Sequence, residues 1–300
     1  MFLHLVRASA AHAIPRPMPR PILRVALAAL LLLTLAVAAA CGGGGDGGQD
    51  VTQGLTPSEI LARSADAATA AGPFRIALTV QGTVDVTRPD ALPSGLGQLL
   101  NGQIDITGEG PVDPPDRASI DATAKVSRIG LQVNLTRVGD NVYVGILGQD
   151  FKLDLPPEQV ALLDFGDLYP TLAGWTTDPA EAGREDIDGT STVKITGTLD
   201  PAKALGDLGP VLGATGDVTP AEARRALQEG TAEFWIGTGD LLPRRVHVVL
   251  RGDGRGVVDG VGAIDLDLTA DFTDWGQQVD IPEPQDARPL DPSGLGGLVG

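Results

Sequence analysis

The stretch Phe74-Arg75-Ile76-Ala77-Leu78-Thr79-Val80-Gln81-Gly82-Thr83-Val84-Asp85-Val86-Thr87 alternates with a period of two. Phe74, Ile76, Leu78, Val80, Val84 and Val86 fall on one side, while Arg75, Thr79, Gln81, Thr83, Asp85 and Thr87 fall on the other. This is the pattern of a long strand with one buried and one wet face. The alternation recurs at Ile104 and Ile106, at Ala118, Ile120, Ala122, Ala124 and Val126, and at Ile129, Leu131, Val133 and Leu135. Pro114-Pro115-Asp116 and Gly139-Asp140-Asn141 punctuate these runs as turns, and Val142 to Leu147 and Phe151 to Leu155 continue them as short strands. Further along come Val193, Ile195 and Leu199, then Thr231 to Ile236, Arg244 to Leu250 and Val261 to Phe272. In the last of these, Ile264, Leu266, Leu268, Ala270 and Phe272 oppose Asp265, Asp267, Thr269 and Asp271. Strands joined by short turns pair as an antiparallel meander, and about ten of them make a sheet that twist will curl.

A curled sheet has an inner face, and burying each apolar strand side chain there is worth about 1.5–3 kcal/mol. Only helices can cover it. Thr56-Pro57-Ser58-Glu59 supplies an N-cap, a proline at the first helical position and a capping-box glutamate for a helix that Gly72-Pro73 ends. Pro156 to Ala173 reads as one or two short helices, with Pro157 and Pro170 as starts. Asp200-Pro201 caps another through Leu208, and Thr219-Pro220-Ala221-Glu222 repeats the first signature before a helix to Gly230. These helices are short and Ala-rich, so either a gap is left beneath them or Leu and Val side chains fill it. The fold class expected is α+β, a strongly curved antiparallel half-barrel with helices over its concave apolar face.

Cys41 is the single cysteine of the 300-residue chain. It follows an uncharged apolar run, Val25 to Ala40, that is short for a bilayer span of about 20 residues, and it opens the glycine run 42–48. Arg16, Arg20 and Arg24 precede the apolar run, and Ala38-Ala39-Ala40 offers the small residues that a signal peptidase needs. The tripeptide before Cys41 resembles a bacterial lipobox, with Ala38 where Leu is usual. The expected organisation is a lipoprotein signal peptide over 1–40, starting at Met1 or Met18, and a Gly-rich tether over 41–54. A folded domain follows over 55–284 and a disordered tail over 285–300. An uncleaved anchor, or a secreted chain with a spare thiol, are the alternatives; all three place the domain outside the cytoplasm.

The full chain carries 39 acidic and 22 basic residues, a net charge of −17. Such a surface repels nucleic acid and anionic headgroups, and one cysteine excludes an intrachain disulfide. His4 and His12 leave with the signal, so His247 stands alone in a strand, without the company that a general base or zinc site needs. Asp265, Asp267 and Asp271 line one strand face, a solvated face or a weak Ca²⁺ site. No G-x-S-x-G elbow or phosphate-cradling glycine loop appears. No enzyme activity, metal or cofactor is expected.

Four segments together resemble the mycobacterial and actinobacterial lipoproteins of the LppX/LprA/LprF/LprG family. They are Gly139-Asp140-Asn141-Val142-Tyr143-Val144 with Phe151-Lys152-Leu153-Asp154-Leu155; Ala182-Gly183-Arg184-Glu185-Asp186-Ile187-Asp188-Gly189 leading into Val193 to Leu199; Phe234-Trp235-Ile236-Gly237 with Leu242-Pro243-Arg244-Arg245-Val246; and Phe272-Thr273-Asp274-Trp275-Gly276. The resemblance spans residues 56–284, and Gly206 to Gly230 looks longer than the family pattern. It implies a LolA/LolB-like half-barrel and a cavity for acylated lipids or glycolipids; the partners expected are such a lipid, the membrane through a diacylglyceryl-cysteine at Cys41, and an envelope transporter. It implies no enzyme activity.

The leading expectation is therefore a membrane-anchored, extracytoplasmic lipoprotein that binds and shuttles acylated lipids. Its wall residues are Phe74, Ile76, Leu78, Val80, Ile104, Ile120, Val133, Leu135, Ile195 and Phe234. The alternative is a cell-envelope sensor or scaffold lipoprotein with a filled core and a protein-binding surface.

Overall fold

The computed structural model describes residues 49–88, 102–126, 129–155, 157–161, 163–212, 219–255 and 260–289. The expected signal segment, Cys41, the glycine run 42–48, the stretch 89–101 and residues 290–300 lie outside them. The strands are β1 (Phe74–Val86), β2 (Gly102–Asp113), β3 (Arg117–Val126), β4 (Ile129–Val138), β5 (Asn141–Ile146), β6 (Gln149–Leu153), β7 (Thr176–Ile187), β8 (Thr190–Leu199), β9 (Leu227–Gly237), β10 (Pro243–Asp253), β11 (Val261–Thr273) and β12 (Arg288–Pro289). They form one sheet in the order β12-β6-β5-β4-β3-β2-β1-β11-β10-β9-β8-β7, whose edges do not meet: an unclosed, curled half-barrel.

Two meanders build the sheet, β1 to β6 and β7 to β11. The antiparallel pairing of β1 with β11 joins them, setting Ile76 opposite Phe272, Leu78 opposite Ala270 and Val80 opposite Leu268. Close approach at this seam requires Gly82, which adopts φ +147° where a Cβ would strike the carbonyl of Asp265.

The helical segments among the described residues are α1 (Pro57–Ala71), α2 (Pro157–Ala161), α3 (Leu168–Trp175), α4 (Pro201–Leu212) and α5 (Pro220–Ala226). Both capping boxes form: Glu59 accepts from the Thr56 backbone N–H at 2.8 Å, and Glu222 from that of Thr219 at 3.0 Å. α1 buries Ile60, Leu61, Ser64 and Ala68, and α3 buries Tyr169, Leu172 and Trp175, against Phe74, Phe234, Phe272 and Val246 of the sheet. The Tyr169 ring meets Phe234 and Phe272 edge-on, at 5.8 and 6.0 Å, and its hydroxyl donates to Ser64 Oγ at 2.7 Å. Trp175 Nε1 donates to Asp207 at 2.6 Å, tying α3 to α4.

Four differences from the sequence reading have physical causes. The strand β7 was not expected, because Thr176 to Ile187 does not alternate. It is an edge strand with register shifts at Thr177/Ala180 and Glu181/Gly183, and nearly all of its side chains face water. Strand β9 begins at Leu227, so α5 ends at Ala226 rather than Gly230. Residues 50–52, expected within the 41–54 tether, are held against the sheet. Val51 N–H donates to the Thr238 carbonyl at 2.8 Å, Asp50 pairs with Arg184 at 2.5 Å, and Thr52 is buried, so residues 50–52 belong to the domain. The tail expected to be disordered from 285 carries β12, which runs parallel to β6 with Arg288 opposite Phe151.

The segment before β12 is a strap over the polar side of β3 to β5. Ile281 is buried, its carbonyl accepts from Arg117 Nη1 at 2.9 Å, and the Glu283 carboxylate accepts from Asn141 Nδ2 at 3.2 Å and from the Tyr143 hydroxyl. The Glu283 bond holds the Tyr143 proton, pushing its pKa up to about 12. A raised pKa favours the folded state below the ordinary tyrosine value, and that contribution fades as pH rises through the folded value. We predict that Glu283→Gln returns the Tyr143 transition toward about 10 in an ultraviolet absorbance titration. An unmoved transition would contradict the strap contact.

Candidate functional site

Strand register places the inner side chains of β1 to β6 in four rows. The first runs Phe74, Val112, Ala118, Arg137, Val142, Leu153, and the second Ile76, Gly110, Ile120, Leu135, Val144, Phe151. The third runs Leu78, Gly108, Ala122, Val133, Ile146, Gln149, and the fourth Val80, Ile106, Ala124, Leu131. Across the seam, Ala270, Leu268, Leu266 and Ile264 of β11 continue the same face.

Cover is uneven along these rows. Phe74, Ile76, Val112, Ala118 and Ile120 are buried in the core cluster with Phe272, Val246, Phe234 and Ile195, beneath α1 and α3. Leu78, Leu250 and Leu268 pack on the margin of that cluster and are only partly buried. Val80, Ile106, Leu131, Val133, Leu135, Val144, Ile146 and Phe151 lie outside the cluster and keep part of their surface in water. The result is a continuous aliphatic band that begins where the helices stop. Each of these side chains is half-buried, so the band is an apolar surface that the described helices do not fully cover.

The ten wall residues expected from sequence thus fall into distinct places. Phe74, Ile76, Ile120, Ile195 and Phe234 are core side chains, each at most 3% exposed. Ile104 is buried near the far end of β2, outside the main cluster. Leu78, Val80, Val133 and Leu135 come together on the band. Sequence reasoning passed over Ile106, Val144, Ile146 and Phe151 as site residues, although each continues a period-two run. It also stopped β4 at Leu135; carrying the period two residues further puts Arg137 on the inner face.

The outer face has a different chemistry. Arg245 and Arg251 of β10 pair with Asp271 at 2.5 Å and Asp265 at 3.2 Å on β11, and Arg251 also with Glu229 of β9 at 3.0 Å. His247 stands 3.0 Å from Asp267 and 3.5 Å from Glu233, which in turn pairs with Lys194 at 2.9 Å. The three aspartates of β11 are therefore matched across strands to basic partners. Among the described residues, no group of three or more His, Cys, Asp or Glu side chains could hold a metal ion. Two open hollows lie along the sheet. One of about 1070 Å³ is lined by residues of both faces of β1 to β5, Leu78, Ala122, Leu131 and Val133 as well as Thr79, Thr123 and Asn134, and another of about 570 Å³ by Thr196, Glu233, His247 and Val249. No helix among the described residues is long and apolar enough to cross a membrane.

No family model matches the chain, and no curated protein does. Among solved structures it is similar to LprF from Mycobacterium bovis, at 19% identity and a TM-score of 0.46 over 76% of this chain and 96% of that one. It is similar to the lipoprotein LppX from Mycobacterium tuberculosis at 19% identity and a TM-score of 0.45, over 75% and 98%. A LolA-superfamily protein from Nitrosomonas europaea follows at 10% identity and a TM-score of 0.27, over 75% and 96%. The two mycobacterial proteins carry the names of the group that the sequence motifs resemble; the fold itself rests on the strand order and register above.

The uneven cover has a measurable consequence. Phe234→Ala should cost about 3–5 kcal/mol in a denaturant titration, as for a core aromatic, whereas Val133→Ala should cost about 1 kcal/mol or less. Similar losses at both positions would show that the band is ordinary filled core.

Proposed function

We propose that the protein is a membrane-anchored, extracytoplasmic lipoprotein that holds the acyl chains of lipids or glycolipids against its inner aliphatic band and passes them between membrane and acceptor. The observation that carries this reading is the band itself: rows of Leu, Val and Ile on an otherwise buried face, left partly in water by helices that stop short. An acyl chain laid along it completes the burial that the helices leave unfinished. Covering a few hundred Å² of apolar surface is worth several kcal/mol at about 25 cal/mol per Å², close to what the chain loses on leaving a bilayer. Transfer by such a surface is exchange, not one-way extraction. A sensor or scaffold with a filled core would have no use for an uncovered aliphatic row.

Anchoring rests on Cys41 and its apolar leader. With residues 50–52 fixed to the domain, the link after the lipidated cysteine is residues 42–49, which can span at most about 29 Å when fully extended. A link of that length keeps the domain close to its membrane and makes a second protein, such as an envelope transporter, the natural handover partner.

Protein purified from its own membranes is predicted to yield lipid on organic extraction and mass spectrometry, and to bind a fluorescent fatty-acyl probe after delipidation. Val80→Trp and Leu135→Trp should block probe uptake while costing little stability, because the added rings occupy the band rather than the core. Lipid-free preparations that also refuse the probe would end this reading. Separately, Cys41→Ser should move the protein from the membrane fraction to the soluble fraction; continued membrane association would contradict a lipid anchor.

A further inference from the structure

Across the inner rows of β1 to β6, Arg137 is the one charged side chain among the described residues. Its neighbours in the row are Ala118 and Val142, both buried, and the next inner position on its own strand is Leu135, on the band. A guanidinium is costly in such a place unless its donors are used. They are not all used. Nε donates to the Gly139 carbonyl at 3.1 Å, but Nη1 is buried without a hydrogen-bond partner. The Arg137 side chain is only 11% exposed, and Asp164 Oδ2 stands 3.5 Å from Nη1, in range for charge attraction yet without hydrogen-bond geometry. Buried orphan donors are rare in folded proteins and call for an explanation.

We infer that Arg137 receives the oxyanion head of an amphiphile, a carboxylate or phosphate, whose tail lies along the band past Leu135 and Val144. The inference rests on the acyl-binding reading above and names the class of lipid. A guanidinium is suited to this by its planar fork, which meets a carboxylate or phosphate with two parallel bonds. Asp164 is a loosely held occupant of the same place. Its Oδ1 is committed to the Gly166 N–H at 3.0 Å, and burial, reinforced by nearby Asp167, pushes its carboxyl up against the opposing pull of Arg137. An incoming head displaces Asp164 from Nη1 and supplies the bond that the aspartate leaves unmade. The position one row beyond the band sets polarity: head at Arg137, tail toward Val133 and Leu131.

The test compares a tail-labelled fluorescent fatty acid with its methyl ester, which keeps the chain and loses the charge. Wild-type protein should bind the acid at least about tenfold more tightly than the ester, the effect expected of one charge-assisted hydrogen bond. Arg137→Met should abolish that preference and leave ester binding in place, while Arg137→Lys should restore part of it. Asp164→Asn, which removes the competitor, should tighten the acid and leave the ester unchanged. Should Arg137→Met fail to fold, the Arg137→Met/Asp164→Asn pair removes both charges together and should show the same loss of preference. Excess acetate should not displace the acid, since a head alone lacks the tail's burial; displacement would show a small-anion site and overturn the amphiphile assignment. Equal affinity of wild type for acid and ester, or a preference that survives Arg137→Met, would overturn the role of Arg137 while leaving acyl binding intact. Binding of neither probe would remove the acyl-binding reading and this inference with it.

Discussion

Covering one face of an open sheet is the requirement that shapes this molecule. Because side chains alternate along a strand, a long antiparallel sheet gathers its Val, Leu and Ile on one side, and that side must meet either protein or some other apolar matter. Closing into a barrel would let the sheet cover itself, but β12 and β7 lie at opposite ends of the strand order. Helices must do the work instead. α1 and α3 do so through Tyr169, Trp175, Ile60 and Leu61 over the rows headed by Phe74 and Ile76, and their reach ends there. The band of Val80, Leu131, Val133 and Val144 is what remains.

The polar face is arranged so that the sheet tolerates this asymmetry. Alternating bases and acids on β8, β9, β10 and β11 pair across strands, from Lys194 through Glu233 and His247 to Asp267. Cross-strand pairs of this kind each add a modest amount, yet together they fix register, and register decides which residues fall on the inner face. The edge strand β7 is bulged and charged, which blunts edge-to-edge association. The strap from Ile281 to Pro289 ends in β12, covering the other edge at β6.

Much of this was legible in the sequence because period-two alternation is a local signal. β1, β3 and β11 were readable residue by residue, and the two Thr-Pro-x-Glu signatures located α1 and α5 through their capping boxes. β7 was not readable, since a strand whose side chains nearly all meet water has no reason to alternate. The fixing of Asp50 and Thr52 depends on Arg184 and Thr238, far away in sequence, so composition alone made that segment look like free tether. The site was legible only in part. Periodicity says which residues face inward, but not which of them the helices reach, so Phe234 and Val133 looked alike. Arg137 was within reach of the pattern: it is the residue that breaks an inward run of Leu131, Val133 and Leu135.

The central claim is that hydrocarbon lies on the inner band beyond the helices and nowhere on the polar face. Photocrosslinking with a fatty acid that carries a diazirine along its tail, followed by peptide mass spectrometry, tests this directly. The account predicts adducts on peptides that contain Val80, Leu131 to Leu135 and Val144 to Ile146, at inward positions. Adducts confined to Thr79, Thr107 or Thr123 on the outer face, or spread without preference over both faces, would contradict it.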